Sequence, residues 1–288
     1  MSVMLELNKS SYNCLIEAFE RAEIIVNDPD SLAEFKEALD SNAFKRRHIK
    51  AEAIYGQDKI IAYEILSRPH NGEKSFSIGH LSDLSYSLDI AKEFDALTCS
   101  NALKVAEEAP LRRPITLNLS VDSVLSNEFW TFMEPKLEPF EPKDMIFEIL
   151  EHNVDRTSDI THLEAMKDQG YRFALDDYSI GEDHENRLHV FGDLVDFIKI
   201  DGPFVRAGLG DENTEFTQEQ FNETIQHLKD NYPDCALVAE RVYNREEAQY
   251  LFDMGFVGMQ GWDLEPEDFT AEAKALRKGI YADEVLTL

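Results

Sequence analysis

Cysteine is scarce in this chain. Three occur in 288 residues, Cys14, Cys99 and Cys235, odd in number, far apart and without a C-x-x-C pair. That fits reduced, buried thiols in a cytoplasm better than a disulfide scaffold or a cysteine zinc site. The eight histidines show no metal-ligand spacing either. Long apolar runs are missing: none approaches the roughly 18 residues a membrane span needs. The opening MSVMLELNKS has neither the basic nor the apolar region of a secretory leader. Cations are few, with 28 Lys and Arg against 57 Asp and Glu, a formal net charge of −29. So acidic a surface repels phosphate backbones and anionic bilayers, which argues against nucleic-acid polymers as partners. A small anionic substrate would need metal ions or locally placed basic residues. No polar low-complexity stretch is present, and a hydrophobic fraction of 43% is ordinary for a globular chain.

Residues 1–45 read as helical. Tyr12, Leu15, Ile16, Phe19, Ala22 and Val26 share one face at helical spacing, Asp28-Pro29-Asp30 breaks the pattern, and Leu32, Phe35, Ala38 and Leu39 begin a second amphipathic helix. A helical cap on the main domain is the plain reading, and a dimerisation or docking element the other. Residues 46–288 then form the main domain. A hairpin is expected from Ile49–Tyr55, a turn at Gly56-Gln57-Asp58, and Ile60–Leu66, its short turn forcing an antiparallel pair. Later strands are separated by helix-sized gaps, with helical stretches at Ile160–Lys167 and Phe221–Leu228 and a solvated loop near Asp211. Such alternation predicts an α/β fold with a parallel sheet. An open doubly wound sheet would show a glycine-rich phosphate turn after its first strand, and none is there.

Seven short apolar runs each deliver a polar residue near their ends: Glu64, Asn118, Glu148, Asp176-Asp177, Lys199, Glu240 and Gln260. In a closed barrel, residues at the carboxyl ends of many strands converge on one mouth, which favours a TIM-like barrel. Five carboxylates gathered there repel one another unless cations intervene. Two divalent ions together with Lys199 neutralise the five, and all-oxygen ligands favour Mg²⁺ or Mn²⁺ over zinc. Paired ions of this kind serve phosphodiester hydrolysis. Taken singly, each residue has a plainer reading. Glu64 and Glu148 are surface acids at strand ends, Asp176-Asp177 a helix cap, Lys199 a rim ion-pair partner and Asn118 a turn residue. Their common spacing sets these readings aside.

Glu64-Ile65-Leu66-Ser67-Arg68 resembles the E-A-L-x-R motif of EAL-domain cyclic di-GMP phosphodiesterases. Asn118-Leu119-Ser120 resembles their N-x-S strand, Glu148-Ile149-Leu150-Glu151 their E-x-x-E strand, and Asp176-Asp177-Tyr178 their D-D-F. Lys199-Ile200-Asp201, Ala239-Glu240 and Gln260-Gly261 match the remaining strands. The likeness spans about residues 47–266 and implies a modified (β/α)₈ barrel with an antiparallel first strand. It implies metal ligation by Glu64, Asn118, Glu148, Asp176, Asp177 and Glu240, with Glu240 also a candidate base. It further implies that Lys199 orients the nucleophilic water, Gln260 supports the water network, Leu66 and Arg68 meet the substrate, and Glu151 anchors the loop after Asp177, with structural ion pairing an equal reading for Arg68 and Glu151. The implied partners are cyclic di-GMP and, through that loop, a homodimer.

Two departures stand out. The family's D-D-F-G-x-G-x-S reads here Asp176-Asp177-Tyr178-Ser179-Ile180-Gly181-Glu182-Asp183, and its A-E-G-V-E places a glutamate where Tyr243 stands. Arg241 replaces a glycine in the same motif. Tyr243 is expected to narrow the mouth and slow chemistry more than binding. The leading expectation is hydrolysis of cyclic di-GMP to linear pGpG in bacterial second-messenger signalling. The alternative is a catalytically weak EAL module that binds the nucleotide or a protein partner as a receptor. Schiff-base chemistry at Lys199 ranks last, because carboxylate neighbours keep that lysine charged. The first 45 residues are too few for a GGDEF or receiver domain, so regulation is expected through those helices, a partner or dimerisation.

Overall fold

A computed structural model describes residues 10–25, 29–45, 48–108 and 114–261. The sequence readings at Val26 and Asp28 and beyond Gly261 lie outside the described residues.

Two helices, α1 (Ser11–Ile25) and α2 (Pro29–Asp40), precede a hairpin of β1 (Ile49–Tyr55) and β2 (Ile60–Ser67). Two more helices follow, α3 (Ile78–Ser87) and α4 (Ala91–Glu108), before β3 (Ile115–Leu119). The short α5 (Val121–Val124) and α6 (Asn127–Leu137) lead to β4 (Met145–Ile149). Strand then alternates with helix: α7 (Thr161–Asp168), β5 (Arg172–Tyr178), α8 (Glu182–Phe191) and β6 (Phe197–Ile200). The pattern closes with α9 (Gly202–Gly208), α10 (Gln218–Asn231), β7 (Ala236–Ala239), α11 (Arg245–Asp253) and β8 (Gly258–Met259). The eight strands form a closed barrel in chain order. Strand β1 runs antiparallel to both neighbours, β2 and β8, and every other pair is parallel. The hairpin, the two helical stretches and the closed α/β barrel expected from sequence are all present.

Short strands with nearly every residue buried, such as Met145–Ile149, follow from a sheet covered on both faces. Outward residues such as Leu117, Phe147, Phe173 and Ile198 pack under the helices in the principal core. Inward residues alternate with them. Two positions before the polar residues lie Ala62, Ile146, Ala174 and Val238, an apolar layer that floors the polar one. Beneath the site this layer lines a chamber of about 230 Å³, together with Arg172 and Phe197.

The N-terminal helices share a second core with α3 and α4. Leu15, Phe19, Phe35 and Leu39 are buried with Leu81, Leu84, Phe94 and Leu97. Phe19 stacks on Phe35 at 5.3 Å between ring centroids, and Phe35 meets Phe94 at 5.8 Å. Among the described residues no helix is long and apolar enough to cross a membrane.

Candidate metal centre at the barrel mouth

The polar layer is built by strand ends. Glu64, Asn118, Glu148, Asp176 and Lys199 lie on β2 to β6, and Glu240 and Gln260 come one residue after β7 and β8. Period-two alternation then brings all seven inside the mouth. At its centre Lys199, 2% exposed, directs Nζ to Asp176 Oδ1 at 2.7 Å, Glu148 Oε2 at 2.8 Å, Glu240 Oε1 at 2.9 Å and Glu64 Oε2 at 3.5 Å. Asn118 Nδ2 donates to Glu64 Oε1 at 2.7 Å, and Gln260 Nε2 donates to Glu64 Oε2 at 2.5 Å.

Asp176 and Asp177 are neighbours in sequence, so a regular strand would point them to opposite faces. The pairing of β5 with β6 steps from Leu175↔Ile198 to Tyr178↔Ile200, three residues against two. That extra residue is a β-bulge, and Asp177 takes φ +45° within it. The bulge turns both carboxylates toward one point. One oxygen each from Asp176, Asp177 and Glu240 lie within 4.8 Å of one another.

The electrostatics match this crowding. Burial pushes the Asp176 and Asp177 carboxyls up to about 7 and Glu240 up to about 8, with neighbouring carboxylates adding to the rise. Burial and the Glu64 charge hold Glu148 well above the usual range. Glu64 moves the other way: burial opposes ionisation, but the Lys199 charge and the hydrogen bonds from Asn118 and Gln260 prevail. Burial works against a charged Lys199, yet the four carboxylates outweigh it and hold the ammonium well above its ordinary value. This lysine is locked in its charged form, the reverse of what an amine nucleophile requires.

Three buried oxygens at the same layer have no hydrogen-bond partner: Asn118 Oδ1, Glu148 Oε1 and Gln260 Oε1. Orphaned acceptors among carboxylates call for cations, and an all-oxygen donor set suits a hard divalent ion. The residues therefore fit the metals that the sequence implied. A cleft of about 230 Å³ opens from this layer, lined by Glu64, Leu66, Asn118, Asp176, Asp177 and residues of α3 and α4.

Arg68 and Glu151, for which structural ion pairing stood beside a functional role, take the following places. Arg68, 37% exposed at its side chain, donates Nη2 to Glu52 Oε1 at 2.8 Å, a pair across the β1–β2 hairpin. Glu151 lines the cleft but is exposed and makes no hydrogen bond among the described residues. Tyr243 is not among the residues lining that cleft. It is 40% exposed, with its ring 4.9 Å from the Arg206 guanidinium. Its backbone N–H is capped by Glu247 Oε2 at 2.8 Å, and Glu247 Oε1 pairs with Arg206 Nη1 at 2.9 Å. Arg241 sits at φ +50°, a left-handed conformation that explains why glycine suits the position, and its side chain lies over Gly202 where a Cβ would collide.

Sequence reasoning missed two buried groups. Asp95 on α4 accepts from Ser120 N at 2.8 Å, Ser120 Oγ at 2.7 Å and Ser123 Oγ at 2.6 Å, fixing the turn that follows Asn118. An acid inside the buried face of α4 was the available signal. Arg187 on α8 is fully buried, and nothing in its local pattern distinguishes it from a surface cation.

A family model described as EAL domain matches residues 36–266. No curated protein sequence matches the chain. Among solved structures, the FimX EAL domain from Pseudomonas aeruginosa bound to c-di-GMP aligns with TM-score 0.60 and 19% identity, covering 82% of this chain and 96% of that one. The PaMucR phosphodiesterase in complex with c-di-GMP gives TM-score 0.63 and 17% identity over 82% of this chain and 98% of that one. An EAL-domain protein from Listeria monocytogenes EGD-e gives TM-score 0.64 and 19% identity over 86% and 94%. At these identities the structural likeness speaks for the fold.

Proposed function

The chain belongs to the EAL domain family, and from that premise we propose that it is a metal-dependent phosphodiesterase that opens cyclic di-GMP to linear pGpG. The observation that carries this reading is the Lys199 ammonium held among Glu64, Glu148, Asp176 and Glu240, beside three acceptor oxygens without partners. Glu64, Asn118, Glu148 and Asp176 would hold one Mg²⁺ or Mn²⁺, and Asp176, Asp177 and Glu240 a second. The chemistry two such ions supply when bound is activation of a water and neutralisation of phosphate charge.

The chain's own side chains do the rest. Lys199 keeps its proton, so it balances the acidic layer and donates to the attacking water rather than attacking itself. Glu240 accepts the proton of that water, its position after β7 leaving the carboxylate at the open side of the layer, 20% exposed. Gln260 steadies Glu64 through Nε2 and offers Oε1 to the water network. Leu66 forms an apolar wall of the cleft. Arg68, at the rim, exchanges its Glu52 partner for a substrate phosphate, whose paired oxygens fit the guanidinium fork.

The receptor reading draws on the family-divergent loop Tyr178–Asp183 and on Tyr243 in place of a glutamate. Chromatography after incubation with cyclic di-GMP and Mg²⁺ separates the two. The proposal expects linear dinucleotide with Mg²⁺ or Mn²⁺ and none with Ca²⁺, whose longer bonds and higher coordination number misplace the water. Intact nucleotide bound by a metal-loaded protein would favour the receptor.

A further inference from the structure

A charge as deeply buried as the Arg187 guanidinium is costly unless something requires it. Its Nη1 donates to Asp176 O at 2.7 Å and to Ile149 O at 3.1 Å. These two carbonyls are not arbitrary. Ile149 ends β4, one residue past Glu148, and Asp176 O lies at the bulge of β5, where the regular ladder to β6 is interrupted. A bulge frees backbone groups that must find other partners when buried. One guanidinium therefore satisfies both strand ends that carry Glu148, Asp176 and Asp177.

The contact continues outward. Arg187 Nη2 donates to His184 Nδ1 at 3.0 Å, so the imidazole is the Nε2–H tautomer and donates to Ser179 Oγ at 3.0 Å. Ser179 is two residues past Asp177 and buried. The chain Arg187–His184–Ser179 thus ties both flanks of Asp177, a non-glycine residue at φ +45° that needs its surroundings to hold it there. Glu151, the anchor expected from sequence, makes no such contact.

We propose that Arg187, backed by His184 and Ser179, is the positioning residue that holds the β5 bulge and so presents the Asp177 carboxylate to the second metal position. This rests on the two-metal reading above. In this chain a cationic clamp does what the sequence assigned to a carboxylate, and the substituted Ser179 is part of that clamp. Lysine cannot replace arginine here, because an ammonium lacks the planar fork that reaches two carbonyls and a ring at once.

The test uses the full chain in two measurements on wild type, Arg187→Lys, His184→Ala and Ser179→Ala. Amide hydrogen exchange on metal-free protein reports the clamp itself; calorimetric titration with Mn²⁺, without nucleotide, reports its consequence. The expected result is faster exchange confined to residues 176–181 in Arg187→Lys and His184→Ala. The second Mn²⁺ step weakens about 10-fold or more while the first is little changed. Ser179→Ala shows the same pattern with smaller amplitude. Should Arg187→Lys not fold, His184→Ala, at the half-buried end of the chain, carries the test. Unchanged exchange at 176–181, or a uniform loss across the protein and both metal steps, would overturn the proposal. If wild type binds no Mn²⁺, the metal reading fails and the exchange pattern alone decides whether Arg187 holds the bulge.

Discussion

Tyr243 shows how a departure from a motif is judged by its surroundings. Its ring lies over Arg206, and the carboxylate missing from its own side chain is matched by Glu247, which caps the Tyr243 N–H and pairs with Arg206. Tyr243→Glu would place a second carboxylate beside Glu247, outside the residues that line the cleft. We expect kcat and KM for cyclic di-GMP to be unchanged in that variant; a raised kcat would show that the position acts on the reacting groups after all. Lys199 is a different matter. Its ammonium is the one cation within hydrogen-bonding reach of the four acidic groups Glu64, Glu148, Asp176 and Glu240 among the described residues. The Schiff-base reading fails here on physical grounds, since the same carboxylates that make the lysine conspicuous also keep it protonated.

Among the elements, α1 and α2 carry the clearest test. Phe35, fully buried between Phe19 and Phe94, joins the N-terminal helices to α4, and α4 carries the Asp95 that braces the turn after Asn118. Phe35→Ala should cost about 3–5 kcal/mol, read as a lowered midpoint in urea. A negligible change would mean these helices are loosely attached. The strands and their polar endings were legible in sequence because each run is short, apolar and ends in a group that burial disfavours unless it is paired. Ile49–Tyr55 and Ile60–Leu66 gave the antiparallel start for the same reason, a turn too short to allow anything else. The bulge at Asp176-Asp177 was not legible: two adjacent acids read equally as a helix cap, and only the register against β6 shows both turned inward. Arg187 and Asp95 escaped for a related reason. Their partners are backbone carbonyls and hydroxyls distant in sequence, and no local spacing encodes such contacts. Arg68 and Glu151 were legible as motif positions, but their present partners depend on the hairpin and on an exposed loop that the motif does not specify.

At the scale of the whole molecule, charge ties stability to pH and to metal. In the metal-free fold, burial and mutual repulsion raise Asp176 and Asp177 to about 7 and Glu240 to about 8, so the folded chain keeps protons that the unfolded chain releases near its ordinary carboxylate values. Stability contributed by these groups is therefore present at low pH within that window and lost as pH rises toward 8. Glu148, also held high, adds in the same sense, whereas Glu64 works in the opposite sense but titrates below its ordinary value, outside this window. Divalent ions bind the ionised forms and displace the protons, so their stabilising increment should grow with pH. Thermal unfolding at pH 6 and pH 8, with and without Mg²⁺, should show a lower midpoint at pH 8 without metal and a larger rise on adding it. An increment independent of pH would contradict the charge balance. The central claim, that the acidic layer holds the ions that hydrolyse cyclic di-GMP, is met most directly by following nucleotide turnover in wild type and Glu64→Ala side by side as Mn²⁺ is titrated. The account predicts linear dinucleotide from wild type only when Mn²⁺ is present, and a loss exceeding about 100-fold in a folded Glu64→Ala. Equal turnover by the two proteins, or turnover by wild type that persists in chelator, would contradict it.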